Sequence, residues 1–345
     1  MIDFVPSDQS GFLSKRISKS RWAFKFIKRF SFFVILGQVL FEKKQIPKGV
    51  APLNILWINL SAPSLGDSLM DLGSRVLVAN HNIDLLTDKR NIALYENDAI
   101  FRRATANVFK CRQWALRRSY DIVFVDAYSP RVLIKKILVS WRAPFCGIYG
   151  FLNGFEVHRT YYSFFRVAYL LGLDRVDSPI RPLLSMSEDE RCKAIPEASY
   201  ICIAVGGEWE FRTYAHWEAV IEEIGQKRCV LVGSENGVVE AANLKSRFPE
   251  LKSFVGDLTL MDTASVINRS TLFVGSDGGL WHVACALSKP SVALFADCSI
   301  FDQNKKLHLR QTRDINVSPL YSQSRVSDIR PLDVVACILE KLESV

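Results

Sequence analysis

The sequence has no CxxC pair, no GxGxxG, no Walker A element, no GxSxG and no clear DxD. Those absences exclude the common dinucleotide fingerprint, the P-loop and the nucleophile elbow of α/β hydrolases. Five scattered histidines without ligand spacing argue against a structural zinc, and no metal is expected. Eight cysteines among 345 residues is not a disulfide density. Cys202, Cys229, Cys285 and Cys337 sit inside apolar runs, so reduced, buried thiols in a cytoplasmic protein are expected. The uncharged stretch 30–41 (FSFFVILGQVLF) is twelve residues long. A bilayer span needs roughly 20. The chain opens MIDFVPSDQS, acidic where a signal peptide is basic, and no small-residue cleavage site follows.

Hydrophobic residues make up 49% and charged residues 23%, which is the composition of a globular chain able to bury two cores. The net charge of +8 is unevenly placed. Residues 1–50 hold ten Lys/Arg against Asp3, Asp8 and Glu42, a net of +7. The remainder after residue 150 is mildly acidic. An acidic partner for the N-terminal half follows: anionic lipid, a phosphorylated acceptor or nucleic acid. No nucleic-acid-binding signature accompanies the charge, so nucleic acid is not expected. Arg21, Lys25, Lys28 and Arg29 fall at helical spacing on one side, with Trp22, Phe26, Phe30 and Phe33 on another. Two readings stand. The segment is a helix lying in a membrane interface with its aromatics inserted, or a helix packed on the protein's own core with a solvated basic face.

From residue 52 apolar runs of strand length alternate with helical periodicity. Strands are expected at 53–60, 83–87, 107–110, 120–126 and 145–149, with helices at 67–80 and 130–142 between them. Residues 172–199 hold Pro179, Pro182 and Pro196 and break the rhythm. The alternation restarts with strands at 200–205, 229–232, 271–275 and 291–295, helices at 213–226, 238–247 and 280–287, and a closing helix at 331–342. The pattern predicts an α/β chain of two Rossmann-like domains in tandem, facing across a cleft. The expected divisions are a basic amphipathic segment 1–50, a domain 51–175, a linker 176–198 and a domain 199–345.

Four loops at strand ends carry candidate chemistry. Ser64-Leu65-Gly66-Asp67 joins the first strand to a helix, where open α/β sheets place ligands; a plain helix-capping turn is the other reading. Gly275–Leu287 (GSDGGLWHVACAL) joins a buried strand to a helix. Backbone N–H groups at Gly278 and Gly279, the helix dipole and His282 suit a diphosphate. Gly206 and Gly207 with Arg212 suit phosphate as well, unless Arg212 is merely solvated. Glu235 follows the 229–232 strand, where a carboxylate can bind a ribose hydroxyl or simply cap a turn.

The strand–SLGD–helix and strand–SDGGLWHVACALSKPSVALF units together resemble glycosyltransferase family 9, the heptosyltransferases of the lipopolysaccharide inner core. The resemblance covers the domain order from about residue 52 onward. It implies a GT-B fold and an inverting, metal-independent transfer of heptose from ADP-heptose to an anionic, lipid-linked saccharide. It implies Asp67 as general base, with Ser64 and Gly66 in the acceptor-side loop. Arg212, Glu235, Asp277, Gly278, Gly279 and His282 are implied to hold the donor. Three departures mark this chain. Gly278 stands where the family has Thr or Ser, Ala296-Asp297-Cys298 replaces Gly-Pro-Thr, and the first fifty residues lie outside the family core. Another nucleotide-sugar donor, a protein acceptor and an inactive membrane-surface protein of the same fold are the competing readings. A cytoplasmic enzyme, peripheral on the inner membrane, is expected.

Overall fold

A computed structural model of the chain describes residues 19–46, 52–61, 64–151, 159–186, 199–296 and 316–344. The side chains of Arg21 and Trp22, and residues Asp297, Cys298 and 187–198 of the expected linker, lie outside what is described. The chain divides into two compact units, Met1–Ser185 and Met186–Val345.

In the first unit, strands β1 (Asn54–Asn59), β2 (Asn82–Thr87), β3 (Phe101–Thr105), β4 (Ile122–Val125) and β5 (Phe145–Gly147) form one parallel sheet in the order β3-β2-β1-β4-β5. β1 is buried from Ile55 to Ile58 without alternation, because helices cover both faces of a parallel sheet. Right-handed crossovers put α2 (Leu65–Leu72) on one face, packed against α5 (Arg159–Leu171). They put α3 (Val108–Arg117) and α4 (Pro130–Ser140) on the other, packed against each other.

Residues 107–110 are not a strand. Asn107 caps α3 instead, its side chain accepting from the N–H groups of Phe109 at 2.8 Å and Lys110 at 3.4 Å. The strand lies upstream at FRRAT, where Arg102 and Arg103 hide its apolar pattern. Both arginines pair with the buried Asp84, at 2.7 and 2.5 Å, and Tyr120 donates to the same carboxylate at 2.8 Å. The helix expected over 67–80 ends at Leu72 and continues as a 3₁₀ stretch, Gly73–Val78. A side chain at Gly73 would stand 2.6 Å from the Arg181 carbonyl oxygen, so only glycine lets the two backbones meet.

The basic N-terminal helix α1 (Lys19–Ile35) is a working part of this unit. Phe33, 4% exposed, stacks on Tyr128 with ring centroids 5.0 Å apart and meets Phe145 and Phe151 edge-on. Phe26 and Phe30 lie against Phe151, and Arg29 donates to the Phe151 carbonyl at 3.2 Å. Phe26 and Phe33, two of the aromatics a membrane helix would insert, therefore pack inward, while Phe30 stays about half exposed. The chain then runs beside β5: Lys43 N–H donates to Phe145 at 2.7 Å and Phe145 N–H to Phe41 at 3.0 Å. That pairing covers the sheet's open edge.

The second unit holds β6 (Ile201–Ala204), β7 (Cys229–Val232), β8 (Lys252–Ser253), β9 (Leu272–Ser276), β10 (Ser291–Ala296) and β11 (Val317–Ser322), all parallel, in the order β11-β10-β9-β6-β7-β8. Its helices are α6 (Trp217–Ile224), α7 (Val238–Arg247), α8 (Leu260–Arg269), α9 (Gly279–Ala286) and α10 (Pro331–Glu343). The stripe Trp217, Val220, Ile221 and Ile224 enters the core, and α10 packs on α6. Cys202, Cys229 and Cys285 are buried free thiols; Cys337 is half-buried. Among the described residues no helix is long and apolar enough to cross a membrane.

Candidate active site

Each sheet has a switch point where neighbouring crossovers leave on opposite faces: between β1 and β4 in the first unit, and between β6 and β9 in the second. Ligands of open α/β sheets bind at the strand C-termini there. The predicted residues fall at both.

In the first unit Ser64 caps α2, accepting from the Asp67 N–H at 3.3 Å. Asp67 is thus a first-turn residue rather than the cap, and its carboxylate is left to other work. Gly66 is buried within that turn. Asp67 and Asp71 share one side of α2 at an i, i+4 spacing, which for two carboxylates is repulsive unless a cation intervenes. Arg159 intervenes. Its Nε and Nη2 grip Asp71 in a two-point pair, with Nη2–Oδ2 at 2.7 Å, and its Nη1 lies 3.4 Å from Asp67 Oδ1. Burial opposes charge on Arg159, but Asp71 and then Tyr149 outweigh it and hold the guanidinium well above the ordinary arginine value. Tyr149 also donates to Asp71, and Asn59 at the end of β1 donates to it at 3.3 Å.

Asp126, at the end of β4, clasps the end of β1. It accepts from the Leu60 N–H at 2.6 Å, from Ser61 N–H and from its own neighbour Ala127 at 2.7 Å. Burial raises its carboxyl to about 6 against those hydrogen bonds, with Asp71 adding to the rise. Asp71 and Asp126 are both buried. Asp67, with a side chain 37% exposed, is the one of the three that a substrate can reach.

Beside this switch point a cavity of about 530 Å³ opens over the ends of β1, β2 and β3. Leu60, Thr87, Ala106, Lys89 and Lys135 line it, with Arg90 and Arg131 flanking Asp88. Burial works against the Asp88 charge, but the Arg90 N–H and the Arg131 and Arg90 side chains hold it down to about 2. Four cations against one carboxylate make this a cavity for an anion.

In the second unit the structure gathers Arg212, Asp277 and His282. Arg212 ends a 3₁₀ turn (Glu210–Arg212) after β6, and its Nη1 donates to the Asp277 carbonyl at 3.3 Å and lies 3.5 Å from Asp277 Oδ2. His282 Nε2 is 3.7 Å from Asp277 Oδ1. Arg212 is therefore no plain solvated side chain, and its buried Nε has no hydrogen-bond partner among the described residues. Gly278 caps α9 without a side-chain cap, so the helix's first N–H groups are not consumed by one. A Cβ at Gly278 would come no closer than 3.7 Å to the Ser276 carbonyl oxygen, so the fold itself accepts Ser or Thr there. Gly206 is different. Its φ of +80° and a Cβ only 2.8 Å from Gly237 Cα demand glycine. Glu235, exposed, begins a 3₁₀ turn (Glu235–Gly237) that ends on the buried Gly237, and its carboxylate makes no hydrogen bond or ion pair among the described residues. It does not join the Arg212 cluster.

Sequence reasoning missed Asp71, Arg159, Tyr149 and the Arg90–Arg131 cavity. The i+4 spacing from Asp67 marks Asp71, and an acid closing the strand YDIVFVD marks Asp126. Nothing local marks Arg159, which arrives from a helix 88 residues further along.

The model of glycosyltransferase family 9 (heptosyltransferase) matches residues 156–303. The fold is similar to that of a family 9 glycosyl transferase from Veillonella parvula, with a TM-score of 0.72 and 15% identity over 85% of this chain and 98% of that one. It is similar to the E. coli ADP-heptose lipopolysaccharide heptosyltransferase II, with a TM-score of 0.67 and 20% identity over 85% and 99%. The E. coli heptosyltransferase WaaC, solved with ADP, follows with a TM-score of 0.63 and 16% identity over 84% and 100%. No curated protein matches the chain by sequence. The signature over residues 156–303 is that of glycosyltransferase family 9 and the fold is of the heptosyltransferase type; both agree with the strand-end motifs and support a glycosyltransferase.

Proposed function

We propose that this protein moves a heptose from ADP-heptose to an anionic lipopolysaccharide or lipooligosaccharide inner-core acceptor, with inversion and without a metal. It works as a cytoplasmic enzyme, peripheral on the inner membrane. The carrying observation is the Arg212–Asp277–His282 cluster beside the uncapped start of α9. It is the arrangement a nucleoside diphosphate needs: one cation, one histidine and backbone N–H groups at a helix N-terminus. The solved relatives support the nucleotide, since WaaC is described with ADP and heptosyltransferase II as an ADP-heptose enzyme.

In an inverting transfer the acceptor hydroxyl attacks the anomeric carbon from the face opposite the leaving diphosphate. A carboxylate takes the hydroxyl proton as the new bond forms. Asp67 has that role: it is reachable, and Arg159 fixes it from one side. Arg212 and the N–H groups at Gly278 and Gly279 take up charge on the departing diphosphate. The cationic cavity at Arg90, Arg131, Lys89 and Lys135 receives acidic groups of the acceptor. A different nucleotide-sugar donor is the second reading, favoured by Gly278, which offers no hydroxyl where the family has one.

Binding tests the donor. ADP at about a hundredfold its Kd stabilises the native state by about 2.7 kcal/mol, a shift of a few degrees in Tm. That shift is expected with EDTA present, smaller with UDP, and lost in Arg212→Ala. A preference for UDP, or binding only with added Mg²⁺ or Mn²⁺, contradicts the proposal.

A further inference from the structure

The inward face of α1 belongs to the core, so the outward face poses its own question. Phe24, Ile27 and Ile35 point out from it, and the turn that follows presents Leu40, 80% exposed. On α4 a second outward stripe runs through Leu138 to the cap residue Trp141, 62% exposed. One buried ammonium ties the two together. Lys136 Nζ donates to the Gln38 side chain and to the Trp141 carbonyl, each at 2.8 Å, so the turn after α1 and the end of α4 are neighbours. α3 packs on α4 and extends the same helical layer.

The layer is unlike the rest of the surface in two independent ways. Twelve of the eighteen large apolar side chains exposed among the described residues lie on α1, its following turn, α3 and α4. Residues 23–44, 108–118 and 130–142 also hold thirteen Lys/Arg and one carboxylate, Glu42, to which Tyr128 donates. A chain with a net charge of +8 thus carries more than its whole positive excess in one layer. Lys136 is buried and Arg131 pairs with Asp88, but the layer keeps a large excess of positive charge among its apolar side chains, which fits a bilayer with anionic headgroups. The hydrocarbon groups enter the interface while the lysines and arginines reach the phosphates. A second copy of this chain would bring the same cations against themselves, which disfavours self-association through this face.

We propose that the outward face of α1, its following turn and α4, continued by α3, is the surface with which the enzyme docks on an anionic membrane. This rests on the reading that the enzyme works at a membrane surface and replaces the face carrying Phe26 and Phe33 with the opposite one. The test is flotation of the full chain with vesicles of phosphatidylglycerol and phosphatidylethanolamine in equal amounts, and with phosphatidylcholine vesicles as the neutral control. The wild type should float with the anionic vesicles at low salt. The pairs Phe24→Glu with Ile27→Glu, and Leu138→Glu with Trp141→Glu, should each lower partitioning by about tenfold or more, and Leu332→Glu on α10 should not. Unchanged flotation of both pairs overturns the proposal. So does a wild-type dimer that both pairs convert to monomer without loss of flotation, which would assign the face to a second copy. ADP binding in the same samples keeps the two readings apart. Its loss in the wild type condemns the donor reading, whereas lost flotation with ADP binding kept condemns only this one.

Discussion

Arg159 is the residue on which the first unit's site turns. It neutralises Asp71, which is buried, and reaches Asp67, which is not. Removing its charge leaves Asp71 without its cation, at a cost of about 3–5 kcal/mol. Arg159→Gln should therefore lose both stability and, through a misplaced Asp67, about 10–100-fold in kcat with KM for donor little changed. Arg159→Lys should recover part of the rate, since a lysine keeps the charge but not the two-point grip. Steady-state kinetics beside urea unfolding separates the effects, and an unchanged kcat in the glutamine variant would leave Arg159 purely structural.

Asp126 gives a pH signature. Its folded pKa, about 6, lies above the ordinary carboxyl value, so the native state holds a proton that the unfolded chain releases. Its contribution to stability, about 3 kcal/mol in all, is fully present well below pH 4 and is lost as pH rises through about 6. Asp126→Asn should remove that slope, so the stability gap between wild type and variant changes by about 2 kcal/mol between pH 4.5 and 7. A gap independent of pH contradicts the assignment. Candidates such as Asp67, Arg212, Asp277 and His282 are legible because each stands in, or in the turn just after, the loop that follows a strand, beside its neighbours in sequence. Arg159 is not, since its partners are set only when α5 packs on α2.

Among the elements, α1 carries the clearest lesson. Its sequence places aromatics and cations at helical spacing, and that pattern fits a membrane helix and a core helix equally. Packing assigns the Phe33 side of the helix to the core. Phe33 lies among Tyr128, Phe145 and Phe151, and residues 41–43 cover the edge of β5. Phe33→Ala should lower the unfolding free energy by about 3–5 kcal/mol, as for other buried phenylalanines. A loss under about 1 kcal/mol in a denaturant titration would show α1 to be only loosely attached. The long apolar strands were legible for a similar reason: a run such as LNILWINL has no other place than the middle of a covered sheet. β3 was not, because its two arginines make sense only opposite Asp84. The two-residue β8 has too little sequence to announce itself.

At the scale of the whole molecule the proposed function divides the chemistry between the two units: a reachable carboxylate in one and the Arg212–Asp277–His282 cluster, assigned to a diphosphate, in the other. The charge follows the same division, with cations concentrated in the half assigned to an anionic acceptor and membrane. If this division is right, the base can be removed without touching donor binding. The direct measurement is Asp67→Asn, assayed for heptosyl transfer and, in the same preparation, for ADP binding by calorimetry. Transfer should fall by about 10²–10⁴ while the ADP Kd stays within about twofold of wild type. A variant that keeps more than about a tenth of the wild-type turnover contradicts the assignment of Asp67 as the base, and with it the central claim.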